Sequence, residues 1–78
     1  MIAEHERVVL KTDVPEDGLK QGDVGTVVHV FPEEQAYIVE FLTLQGETVA
    51  VSTYPAEAIR PVESHEVANA RRMGKVAS

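Results

Sequence analysis

The stretch "VGTVVHVFPEEQAYIVEFL", residues 24–42, decides the fold. Its opening, "VGTVVHVF", sets β-branched side chains at Val24, Thr26, Val27, Val28 and Val30, a composition suited to a pleated surface rather than to a helix. "PEEQ" (32–35) turns the chain, with Pro32 at a turn-favoured position. "AYIVEFL" (36–42) then alternates Tyr37, Val39 and Phe41 with Ile38, Glu40 and Leu42, which is the two-residue period of a strand.

Working outward, "ERVVLKT" (6–12) reads as a preceding strand with Val8 and Leu10 on one face and Val9 and Lys11 on the other. The polar connection "DVPEDGLKQGD" (13–23) is punctuated by Pro15, Gly18 and Gly22. After the central pair, Gly46 marks a tight turn, "TVAVSTY" (48–54) a fourth strand, and "PAEAIRPV" (55–62) a helical turn followed by a stub of strand ending at Pro61. Five short strands, a long first loop and tight later connections fit an all-β, SH3-like barrel over residues 1–62, since closure removes exposed sheet edges. An open antiparallel sheet with one helix over it is the competing architecture. The expected core is Val8, Leu10, Val28, Val30, Tyr37, Val39, Phe41, Val49, Val51 and Ile59.

Residues 63–78 change character. Ser64 can cap a helix starting at His65, with Glu66 at its positive end, Arg71, Arg72 and Lys75 at its negative end and Gly74 as a stop. A helix of that length is marginal in water unless it docks. The expectation is a C-terminal helical or flexible extension.

The run "GDVG" (22–25) raises the question of an anion-binding loop. Such a loop needs a helix whose first amides point at the phosphate. A valine-rich strand follows here, and Asp23 would repel the ligand. The glycines therefore read as architecture: Gly22 with a positive φ closing a turn, Asp23 bonding its own backbone in an Asx-type turn, and Gly25 relieving crowding where the strand bends sharply or another backbone passes close.

Composition narrows the function classes. Seventy-eight residues make a single domain, whose net stability is on the order of 3–5 kcal/mol. There is no cysteine, hence no disulfide framework, thiolate metal site or thiol nucleophile, and the expected location is cytoplasmic. "MIAEHERVVL" lacks the cationic start and long apolar run of a signal peptide, and no apolar run approaches a membrane span. His5, His29 and His65 lack metal-ligand spacing. Ser52 and Thr53 have no base in a recognisable relation to them, and the acids fall in loops or singly in strands, so the chain reads as non-enzymatic, with no cofactor. The net charge of −6 is uneven, −7 over residues 1–61 and +1 over residues 62–78. An acidic body repels phosphate backbones, which argues against nucleic acid as a partner. The candidate partner-binding residues are the loop acids Asp13, Glu16, Asp17 and Asp23, the aromatic Tyr54 beside Pro55, and Arg71 and Arg72 in the tail. The expected partner is another protein, with homo-oligomerisation also open.

From residue 7 to residue 62 the chain resembles a family of small bacterial proteins classed as a domain of unknown function. The resemblance rests on the pattern D-x-P-x-x-x-L-x-x-G-D-x-G-T-V-V (here 13–28), the "YIVEF" strand and the "GET" turn. It implies an SH3-like barrel and no established activity. "GDVGTVVHV" is also similar to the KOW motif of ribosomal proteins and elongation factors, whose barrels bind RNA through basic residues that are missing here. Three readings follow: an acidic protein-interaction module, antitoxin- or immunity-like; a KOW-like nucleic-acid-associated barrel; and an accessory subunit of a larger enzyme.

Overall fold

A computed structural model describes residues 2–73. They form one antiparallel sheet of five strands, β1 (Arg7–Leu10), β2 (Val24–Val30), β3 (Ala36–Leu42), β4 (Thr48–Pro55) and β5 (Ile59–Pro61). The order across it is β4-β3-β2-β1-β5, so the all-β reading of five antiparallel strands holds. The strands lie at, or within two residues of, the boundaries read from the sequence, and the helical turn before the last strand is the 3-10 turn Ala56–Ala58.

That turn shapes the sheet. It carries the chain from one edge strand to the other, yet a 3-10 segment of its length rises by only about 6 Å. The edges of a flat five-stranded sheet stand roughly 19 Å apart. The sheet must therefore roll until its edges meet at Ala56–Ala58, while the hydrogen-bonded ladder stays open between β4 and β5.

The rolled inner face buries Val8, Leu10, Val27, Tyr37, Val39, Phe41, Tyr54 and Ile59, joined by Ile2 and Leu19. Two expected core positions are wrong. Val28 and Val51 are exposed, because the register slips between Val27 and His29 in β2 and between Phe41 and Leu42 on β3, opposite Val49 of β4. A bulge adds one residue and flips the inside–outside phase beyond it. In β2 the phase is set by Gly25 and Val27, and in β4 by Ala50, Ser52 and Tyr54, which alternate toward the core.

Gly25 is architectural by close approach. A Cβ built there would sit 2.6 Å from Val39 Cγ1, 2.8 Å from Phe41 Cε1 and 2.9 Å from the Glu40 carbonyl oxygen. Gly22 has φ +97° as expected of a turn glycine, and Asp23 exchanges bonds with Lys20: its carboxylate accepts the Lys20 N–H and its own N–H donates to the Lys20 carbonyl.

Of the two forms expected of the tail, helical or flexible, the helix is not formed over residues 63–73. The tail runs without regular structure back to the first loop, where Met73 lies over Gly18 and Arg71 bonds Asp23. A short helix with a thin apolar stripe gains little by itself, and the charge-assisted contacts of Arg71 outweigh it. The helix stop placed at Gly74, and Lys75, lie outside the described residues.

Candidate functional site

Most of the charged residues singled out in the sequence are engaged within the fold. Asp13 accepts the Gln21 N–H at 2.8 Å. The Arg71 guanidinium forks onto Asp23, Nε to Oδ1 at 2.8 Å and an Nη to Oδ2 at 2.6 Å, and also donates to the Gly18 carbonyl. Burial alone would raise the Asp23 carboxyl, but the Arg71 fork and the Lys20 N–H outweigh it and hold the group below its ordinary value. Glu16 and Arg72 are exposed, and of the seven candidates only these two face solvent with no hydrogen-bond partner among the described residues.

Tyr54 is a correction. Expected as an exposed aromatic, it is only 4% exposed, meets Phe41 edge-on at 5.5 Å between ring centroids, and donates its hydroxyl to Asp17 Oδ2 at 2.7 Å. Sequence reasoning missed it because Pro55 suggested a surface turn, while the alternation Ala50, Ser52, Tyr54 pointed inward. The first loop is therefore pinned at three points: Asp17 to Tyr54, the buried Leu19, and Asp23 to Arg71.

What remains open is the acidic and apolar surface carried by β2, β3, β4 and their turns. No lysine or arginine occurs between Lys20 and Arg60, the stretch that builds β2, β3 and β4. It does hold Glu33, Glu34, Glu40, Glu47 and Glu57. Glu33 and Glu34 sit in the β2–β3 turn at φ 60° and 56°, left-handed conformations that cost a non-glycine residue about 1–2 kcal/mol each. The outer surface of this half exposes Val24, Val28, Leu42, Leu44 and Val51. A lone-standing anionic region with an apolar face was legible in the spacing of Lys20 and Arg60, a signal that whole-chain charge conceals. Among the described residues, no group of three or more His, Asp or Glu side chains is arranged to hold a metal ion, and no helix is long and apolar enough to cross a membrane.

The model of a domain of unknown function, DUF4926, matches residues 4–61. The chain belongs to this family. No curated protein and no solved structure matches the chain. The DUF4926 span takes in all five strands and the Tyr54–Asp17 bond, and it stops short of the strap that carries Arg71 and Arg72.

The buried tyrosine gives this DUF4926 domain an alkaline limit. Burial and the hydrogen bond to Asp17 push Tyr54 up to about 12. Burial pushes Tyr37 in the same direction. The fold thus favours the neutral phenol, so the contribution is complete below the unfolded value near 10 and is lost as pH rises from there toward 12. Chemical denaturation between pH 9 and 12 should show wild-type stability falling, and Tyr54→Phe, already weakened, falling by on the order of 1–2 kcal/mol less. Parallel curves for the two proteins would show that Tyr54 ionises without resistance from the fold.

Proposed function

We propose that this domain is a non-enzymatic protein-interaction module that meets a basic partner through its anionic, partly apolar β2–β4 side. The observation that carries the reading is the coincidence of exposed valine and leucine side chains with a half-sheet free of lysine and arginine. Apolar exposure supplies binding energy, and uncompensated carboxylates supply steering and choice of partner. An antitoxin- or immunity-like protein that masks a cationic, nucleic-acid-directed surface has this character, and a cytoplasmic setting suits it. The exposed Leu42, Leu44 and Val51 also favour a second reading, an accessory subunit seated on a larger enzyme.

Affinity purification of the tagged chain from its native cells tests the proposal. A protein partner is expected that is lost when Glu33, Glu40, Glu47 and Glu57 are replaced together by glutamine. Recovery of nucleic acid, or of a partner indifferent to those four changes, contradicts it.

The nucleic-acid reading has lost ground on geometry. Arg71, one of the tail cations that a KOW-like role would use, is paired with Asp23. Few cations remain to release counterions, and we expect no micromolar binding of RNA or DNA at about 0.15 M salt. Fluorescence anisotropy with random oligonucleotides measures this. Tight binding retained by an Arg71→Gln, Arg72→Gln, Lys75→Gln triple variant would overturn the charge assignment.

A further inference from the structure

We propose that the free edge of β4 is the docking site, and that its occupant is an extended, β-branched segment of a partner protein, flanked by lysine or arginine, which adds to the sheet as a further strand. The inference rests on the reading of this chain as a protein-interaction module and names the surface and the partner chemistry within it.

The backbone defines the site. At one end of β4 the Ala56 N–H donates to the Gln35 carbonyl at 3.0 Å, and at the other the Thr43 N–H donates to the Glu47 carbonyl at 2.8 Å. Antiparallel ladders alternate bonded and non-bonded pairs, so Tyr37–Tyr54, Val39–Ser52 and Phe41–Ala50 are the bonded pairs between β3 and β4. The N–H and C=O groups of Val51 and Thr53 consequently point away from β3. Among the described residues, no backbone group from Val49 to Thr53 bonds anything outside that ladder. β5 does not pair with them, because β4 and β5 are the two opposite edges of the hydrogen-bonded order.

The two edges of the sheet differ in how they are protected. β5 is three residues long, ends at Pro61 and carries Arg60, which is bonded to Glu66. Shortness, proline and charge are the ordinary devices that stop unwanted strand pairing. β4 runs for eight residues, and from Thr48 to Tyr54 it contains no charge and no proline. Its row of Val51 and Thr53 is the kind of edge that strand addition uses, main-chain bonds giving affinity and alternate side chains giving choice.

Charge selects the occupant. Glu47 and Glu57 bracket the edge, Glu40 is the cross-strand partner of Val51, and residues 21–59, which build β2, β3 and β4, hold no lysine or arginine. A second copy is a poor fit: each chain carries −6, and a symmetric antiparallel pairing with Val51 opposite Thr53 sets Glu47 opposite Glu57 of the second copy. A basic-flanked strand reverses both terms. At the Thr53 end a shallow hollow of about 390 Å³ is lined by Phe31, Pro32, Ala36 and Thr53, with Glu33 on its rim. The methylene stem of a partner lysine or arginine would lie on Phe31 and Pro32 with its cation at Glu33.

The test uses the full chain and two synthetic peptides, each five alternating valine and threonine residues, one flanked by lysine pairs and one by glutamate pairs. By NMR, the lysine-flanked peptide should bind saturably, shift the Val51 and Thr53 amides most and slow their exchange, with the glutamate-flanked peptide at least tenfold weaker. Val51→Pro, which removes an outward donor, and Val51→Lys, which keeps the strand and adds a cation, should each weaken binding at least tenfold. Equal affinity for both peptides, shifts confined to another surface, or binding unaffected by the folded Val51→Lys variant would overturn the proposal. Slow exchange at Val51 and Thr53 that depends on protein concentration without peptide would also overturn it, making a second copy the occupant. A cellular partner that persists with Val51→Lys but is lost with the four glutamines sinks the β4 assignment alone; no partner at all sinks the module reading.

Discussion

Phe41→Ala is expected to leave the chain largely unfolded at 25 °C. Phe41 is among the largest fully buried side chains, 2% exposed, and it stands on β3 between the ring of Tyr54 and the bare backbone at Gly25. Truncating a buried phenylalanine removes about 3–5 kcal/mol through lost transfer energy and the cavity left behind. That is about the whole net stability of a domain this small. The change also takes the edge-on partner from Tyr54, whose hydroxyl anchors the first loop at Asp17. Circular dichroism and a thermal melt decide the matter. A Phe41→Ala protein with native spectra and an ordinary melting transition would show that the core lies elsewhere.

Gly25→Val is expected to be nearly as damaging, for the opposite physical reason. The first added carbon alone meets two side chains and one backbone oxygen at 2.6–2.9 Å. Side-chain ends can yield, but the Glu40 carbonyl belongs to β3, an inner strand paired with both β2 and β4. Overpacking a tight core costs about 1–3 kcal/mol, occasionally more. Gly25→Ala should already lower the midpoint of urea unfolding, and Gly25→Val should lower it further. Substitutions that leave the midpoint unchanged would mean that β3 does not pass close against Gly25.

The comparison of these two positions shows what a sequence of this kind reveals. Phe41 and its neighbours Tyr37 and Val39 were legible because β3 alternates without interruption over its whole length. Val28 and Val51 were misplaced because a bulge moves one residue out of phase, and nothing in a valine-rich run marks where it occurs. Tyr54 was misread for the same reason, with Pro55 adding a false surface signal. The Arg71–Asp23 pair spans 48 residues, so the local signals at Ser64 and Glu66, which left the tail helical or flexible, could not reveal this long-range contact. Glu66 itself serves Arg60 and the Glu63 N–H, which hold its carboxyl down at about 2. The acidic loop looked like the binding surface because its charges cluster in sequence. Three of its carboxylates, Asp13, Asp17 and Asp23, tie the loop down, while Glu16 stays exposed, as do acids dispersed around β3 and β4.

The availability of the β4 edge is tested most directly by residue-resolved amide hydrogen exchange on the free, monomeric chain. Ser52 and Tyr54, bonded to β3, should exchange slowly, while Val51 and Thr53, one residue away on the same strand, should exchange at rates close to those of open backbone. Equal protection at all four amides would contradict a free edge and remove the docking site proposed here.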